Sequence, residues 1–327
     1  MRIAILGAGA WGSALAASFS SRHEVRLWAR DPAQRDALAA TRATRYLPGV
    51  RLPEAITLAA TPAHALRDAE LAVAATPTAA LRETLGHAGA SREAAWLWAC
   101  KGFEASSGAL PHEIAGQSLG AGARAAAFSG PSFALEVARG LPAAVVVASA
   151  DAAFAASMAA ALNGPRLRVY SSDDVIGVEL GGAIKNVIAI AAGICDGLEL
   201  GSNARAALVT RGLTEITRLG TRLGGRPETF AGLTGLGDLV LTCTGELSRN
   251  RQVGLRLARG ESLEQILAQL GHVAEGVSSA RATLTLARRH GADMPICAAV
   301  HAVLFDRFPA RDAVERLLAR DPKSETP

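Results

Sequence analysis

Short apolar segments alternate with alanine-rich stretches from the start of the chain to about residue 170. Segments 3–6, 25–29, 56–58, 71–75, 95–99, 125–128 and 144–148 read as strands, and 167–170 as an edge strand. Strands separated by helices predict a parallel sheet covered on both faces. After Ser171 the period lengthens into helical segments punctuated by glycine, at about 174–196, 203–223, 227–233, 250–258, 262–270, 274–290, 295–305 and 310–319. The chain is therefore expected to be α/β, a doubly wound sheet followed by an all-helical part, with domains 1–175 and 176–327. Ser171-Ser172-Asp173-Asp174 offers an N-cap for the first long helix.

That helix contains an anomaly. Lys185 lies among apolar and small residues, and helical spacing places Val178, Gly181, Gly182, Ile188, Ala189 and Ala192 around it. Either its four-carbon stem snorkels to water, or partners hold its ammonium in a cleft where burial and neighbouring charges tune it for proton transfer. Glu179, Lys185, Asn186 and several glycines argue against reading the run as a membrane span.

Composition narrows the field. The 327 residues suffice for about two domains, and half of them are hydrophobic. Thirty-four basic against thirty acidic residues, spread along the chain, give a net charge of +4, a mild preference for anions that suits a phosphorylated metabolite or nucleotide. Two tyrosines offer little material for base stacking, so no nucleic-acid partner is expected. Cys100, Cys195, Cys243 and Cys297 are far apart and form no CxxC pair, so neither a metal site nor a disulfide framework is expected, and a reducing cytoplasm is. Glycines at 7, 9 and 12 interrupt the apolar N-terminus and count against a signal peptide.

Those glycines form Gly7-Ala8-Gly9-Ala10-Trp11-Gly12, directly after the first strand and before a helix over about 13–20. In that setting the first glycine permits a tight turn, the second lets the backbone approach a pyrophosphate, and the third permits close packing of helix on strand. The context predicts a Rossmann-type dinucleotide site. At the end of the second strand Arg30 precedes Asp31-Pro32. An arginine there can neutralise a 2′-phosphate, whereas an acid would bind the 2′-hydroxyl. With Asp31 placed to cap the next helix, NADPH is favoured and NADH remains open; a solvated loop charge is the plain alternative for Arg30.

Ala75-Thr76-Pro77, Cys100-Lys101-Gly102 and Ser129-Gly130-Pro131-Ser132-Phe133-Ala134 follow later strands, where ligands of such sheets bind. Lys101 can reach a phosphate, polarise a carbonyl, or be an ordinary loop lysine. The helical part adds Gly181-Gly182-Ala183-Ile184-Lys185-Asn186, Gly235-Leu236-Gly237-Asp238-Leu239 and Thr242-Cys243-Thr244 with Ser248-Arg249-Asn250. Read singly, the last triplet is an anion clamp of two neutral donors and a guanidinium fork, or a helix cap with a surface arginine.

With these motifs in this order, the chain resembles bacterial-type NAD(P)-dependent glycerol-3-phosphate dehydrogenases from Ile3 to about Leu318. The resemblance implies reversible reduction of dihydroxyacetone phosphate to sn-glycerol 3-phosphate for phospholipid synthesis, in a cytoplasmic homodimer using NADPH or NADH. It makes Lys185 the proton-transfer residue with Asp238 as partner, and Lys101, Gly130, Ser132, Ser248, Arg249 and Asn250 substrate contacts. For the cofactor it implicates the glycine turn with Ala10 and Trp11, then Arg30, Lys101, Ala134, Arg249, Val273 and Glu275. Glu275 suits ribose or nicotinamide hydrogen bonding, or is a solvated helix residue. β-Hydroxyacid dehydrogenases and ketopantoate reductases are the competing reading, and they lack the paired GLGDL and SRN motifs. Ala10 stands where the family often has serine or asparagine, which leaves only its backbone amide for a phosphate, and Cys100 stands where threonine is frequent.

Overall fold

The computed structural model describes residues 1–90, 93–120, 122–270 and 274–321. Eight strands form one sheet: β1 (Arg2–Leu6), β2 (Glu24–Trp28), β3 (Thr57–Ala59), β4 (Leu71–Ala74), β5 (Ala95–Trp98), β6 (Ala125–Ser129), β7 (Ala143–Ala148) and β8 (Leu167–Ser172). Their spatial order is β3-β2-β1-β4-β5-β6-β7-β8. The chain winds outward from β1 in one direction and returns to β4 to wind in the other, which opens a crevice at the C-terminal ends of β1 and β4. Every residue of β4 and β5 is buried, the pattern of strands covered on both faces. Alternate residues feed opposite layers, with Ile3, Ile5, Val73 and Leu97 in one core and Ala4, Leu6, Ala72, Trp96 and Trp98 in the other.

One expectation is corrected. β6 and β7 run antiparallel, while the remaining neighbours are parallel. Alternation of apolar residues reports burial of a strand's faces and carries no information on its direction, so the reversal was invisible in the pattern. β8 is the edge strand expected.

Beyond β8 the described chain is helical. Helix Val175–Gly197 begins at Asp174, whose side chain accepts from the Gly177 amide at 2.9 Å. By length and composition this helix could cross a membrane, yet 89% of its most apolar window is buried inside the protein. It is the axis of the helical core, surrounded through Leu180, Ile184, Val187 and Ile188 by the helices that follow. Helix Arg249–Ala258 lies against it backbone to backbone: a Cβ at Gly193 would stand 2.0 Å from the Arg251 carbonyl oxygen, and one at Gly254 2.0 Å from that of Ile190. This contact needs two glycines, and it sets the start of the second helix over Asn186.

A helix over Asp238–Thr244 was not expected from the pattern. It follows a π-type turn at Leu233–Gly237, whose glycines obscure the helical period; the turn approaches the axial helix at Gly181, where a Cβ would stand 2.6 Å from the Thr234 carbonyl oxygen.

Candidate functional site

A cleft of about 660 Å³ opens along the C-terminal ends of the strands and continues to the helical half. The glycine turn forms one end. Gly7 adopts φ 116°, and a Cβ there would meet the Ala75 carbonyl oxygen at 2.6 Å; a Cβ at Gly12 would stand 1.9 Å from the carbonyl oxygen of Gly7. Gly9 has open space where its Cβ would be, on the cleft side. The three positions thus do three different things, and the open one is where a pyrophosphate can approach. Helix Ala10–Phe19 begins at once, capped by the Gly9 backbone, so the unpaired amides of its first turn sit behind Gly9. Trp11 lines the cleft and stacks on Phe128 with centroids 6.4 Å apart.

At the tip of β2, Asp31 accepts from the Ala33 amide at 3.0 Å and stands 3.6 Å from the Arg45 guanidinium. Its Oδ1 caps helix Pro32–Thr41; both Asp31 and Arg30 line the cleft, and Arg30 meets Glu83 at 3.5 Å in an exposed pair. An exposed pair of this kind is worth about 0–1 kcal/mol, so a bound anion can compete for the arginine.

Asp238 organises the other end. Lys185 Nζ donates to its Oδ1 at 2.5 Å, and Lys101 Nζ donates to its Oδ2 at 2.7 Å and to the Gly130 carbonyl at 2.9 Å. Lys185 is 6% exposed and Asp238 1%, so this is a buried carboxylate shared between two ammonium groups. The two lysines come from opposite halves of the protein, Lys101 from the end of β5 and Lys185 from the axial helix. Asp238 reaches both because it opens the helix after the π-type turn. Thr242, one turn further on, accepts from Lys185 Nζ at 2.7 Å and donates to the Asp238 carbonyl at 2.6 Å. Burial pulls the Lys185 ammonium down to about 8, Asp238 opposes that shift, and Lys101 adds to it. An amine poised near neutrality can both give and take a proton.

Arg249 and Glu275 face the same cleft. Burial raises the Glu275 carboxyl, against the pull of Arg249, Lys101 and Lys185. Ser248 caps its helix by accepting from the Arg251 amide at 3.2 Å, which leaves its O–H to donate. Asn250 donates to the Asn186 side-chain oxygen at 2.9 Å and accepts from the Gly276 amide at 3.0 Å, so it ties the axial helix to the helix that carries Glu275. Ser132 donates to the Gly130 carbonyl at 3.0 Å, and both Ser132 and Ala134 are at the cleft. Val273 lies outside the described residues. Cys100 is buried and burial drives its thiol far up, as expected for a packed residue and not for a nucleophile.

The chain matches one family over nearly its whole length. Residues 2–155 match the N-terminal part of NAD-dependent glycerol-3-phosphate dehydrogenase, and residues 174–315 the C-terminal part. The chain belongs to that family. Glycerol-3-phosphate dehydrogenase [NAD(P)+] of Methylibium petroleiphilum is 58% identical over 330 residues, covering 99% of this chain and 98% of its own length. The namesake of Aromatoleum aromaticum is 56% identical over 328 residues, covering 99% and 100%. The crystal structure of glycerol-3-phosphate dehydrogenase from Coxiella burnetii superposes with a TM-score of 0.91 at 41% identity, over 97% of this chain and 98% of that one. Membership decides against the hydroxyacid and ketopantoate alternatives and makes the cofactor NAD(P).

Within this family member, Thr242 and Asn186 were missed as partners of the site. Thr242 had a readable signal, being four residues from Asp238 in a TCT triplet already noted, but that spacing counts only once a helix is assigned there. Asn186 follows Lys185 directly and gains its meaning only from Asn250, 64 positions away.

Proposed function

We propose that this protein reduces dihydroxyacetone phosphate to sn-glycerol 3-phosphate reversibly, with NADPH preferred over NADH. The observation that carries the reading is the Lys185–Asp238–Lys101 bridge, at the junction of the nucleotide end and the Ser248-Arg249-Asn250 end of one cleft. The nicotinamide cofactor, when bound, supplies the hydride. Protonated Lys185 gives its proton to the carbonyl oxygen of the substrate, and in the reverse direction its neutral amine takes the hydroxyl proton. Asp238 holds both ammonium groups at the reacting end, and Lys101 orients the oxygen and offsets the charge that builds on it. Arg249 and Ser248 hold the phosphate, the arginine by its planar fork and the serine by its free O–H. Gly130 and Ser132 complete the substrate wall, and Glu275 faces the nicotinamide end.

NADPH preference is supported by Arg30 at the cleft, in a weak exposed pair with Glu83, beside an Asp31 whose Oδ1 caps its own helix and whose Oδ2 meets Arg45. We further infer a Rossmann-type domain at 1–175 and a helical substrate domain at 176–327, and a cytoplasmic homodimer that supplies the glycerophospholipid backbone. Purified protein should oxidise NADPH, followed by its absorbance, on addition of dihydroxyacetone phosphate. Absence of turnover there, together with activity on ketopantoate or a hydroxyacid, would remove the assignment.

A further inference from the structure

Glu179 is a buried carboxylate that the mechanism above does not use. It lies on the axial helix, 6% exposed, and its hydrogen-bond partners are two neutral or weakly basic groups of the sheet half. The Trp98 indole N–H donates to one carboxylate oxygen at 2.7 Å, and His112 Nδ1 is 2.6 Å from the other. Burial pushes the acid up, with His112 and Trp98 pulling against it. An apolar residue would avoid that desolvation cost, so the retained carboxylate calls for a reason other than stability.

The surroundings supply one. Trp98 ends β5, and His112 is in the first turn of helix Pro111–Leu119, so the two oxygens of Glu179 hold the two ends of the connection that carries Lys101. The stem of Lys101 crosses the axial helix at Gly182, where a Cβ would stand 3.4 Å from Lys101 Cγ and 3.1 Å from the Ser129 hydroxyl. Gly182 is three residues from Glu179 and three from Lys185. Glu179 and Lys185 are therefore about 9 Å apart along the helix axis, with the Lys101 stem between them. Any slip of the axial helix against β5 would move Lys101 relative to Lys185 and Asp238.

We propose that Glu179 is a positioning residue that sets the register of the helical half against the sheet, and through it the separation of the two lysines that share Asp238. The inference rests on the proposed reaction for its kinetic consequence, and on hydrogen bonds alone for its structural one. In purified full-length protein, Glu179→Leu is expected to raise the KM for dihydroxyacetone phosphate about tenfold and lower kcat about tenfold, since small misplacements of reacting groups are costly. The Kd for NADPH should stay within about twofold, because the glycine turn lies in the sheet half. Glu179→Gln keeps an acceptor for the indole and an amide donor for His112, and should stay within about threefold of the parent. Backbone hydrogen exchange across residues 101–110 should quicken in Glu179→Leu and match the parent in Glu179→Gln. That readout holds whether or not the protein reduces dihydroxyacetone phosphate, so failure of the positioning role is distinguishable from failure of the reaction. Should Glu179→Leu not fold, Trp98→Phe removes one bond and keeps a ring, with faster exchange in the same segment and about a threefold rise in KM expected. Parental exchange in the folded Leu or Phe variant, parental kinetics there in an active enzyme, or a Gln variant as impaired as the Leu variant would overturn the proposal.

Discussion

The two ends of the cleft are built on different principles. At the nucleotide end the working parts are backbone: a turn at positive φ, an open space at Gly9 and a helix N-terminus, all within residues 7–12. At the substrate end they are side chains: Lys101 beyond β5, Lys185 on the axial helix and Asp238 at the start of its own helix are bonded at 2.5–2.7 Å, and Asn250 on the helix beginning at Arg249 is bonded to Asn186 at 2.9 Å. A backbone site depends on local conformation and tolerates change in distant packing. A side-chain site buried at the meeting of several elements depends on all of them at once, and that burial shifts the lysine as the proposed chemistry requires.

The contrast is most sharply tested at its centre. Lys185→Met should lower kcat by about 10²–10⁴-fold while the Kd for NADPH stays near the parental value, measured by stopped-flow turnover and cofactor fluorescence titration. An equal loss of cofactor binding would mean that the two ends are not separable. Next in size, Arg249→Ala should raise the KM for dihydroxyacetone phosphate by about 10–100-fold, as expected for loss of a charge-assisted bidentate contact worth about 1.5–3 kcal/mol. A normal constant would take Arg249 out of the phosphate clamp.

The titration of Lys185 gives a prediction of sign. Reduction requires the ammonium and oxidation the amine, so the reduction rate should fall about tenfold per pH unit above about 8, while oxidation should fall as pH drops below that value. Profiles of kcat in the two directions that move together would contradict a single shared group. At the nucleotide end, Gly9→Ala should leave the thermal midpoint nearly unchanged, since nothing lies within 4 Å of the added carbon, yet weaken NADPH several-fold by standing in its path. Unaltered NADPH affinity would mean that the pyrophosphate lies elsewhere. The smallest effect is expected from Arg30→Ala, a rise of a few-fold in the KM for NADPH with NADH unaffected, read from paired initial-rate measurements. Equal changes for both cofactors would reduce Arg30 to a solvated charge.

The inner strands were readable because a strand buried on both faces must be apolar and short whatever it packs against, and the edge strand β8 because one of its faces is buried. The glycine turn was readable for a similar reason, since each of its contacts lies within its own strand-turn-helix unit or on the neighbouring strand end. Lys185 could be recognised as needing an explanation, because an ammonium on the buried face of a helix is costly wherever the helix docks.

The resemblance implied Asp238 as its partner, but the contacts that hold Lys185 away from water are seen only in three dimensions. Asp238 is 53 residues from Lys185 and 137 from Lys101, and no local pattern specifies that one carboxylate serves both. The direction of β7, the helix hidden behind the glycines before Asp238, and the bond from Asn250 to Asn186 share that character. The sequence by itself determined the elements, the backbone site for a dinucleotide and the presence of a misplaced charge. Tertiary structure decided its partners and its proton affinity, because both depend on distances and desolvation that exist only once separate elements have packed.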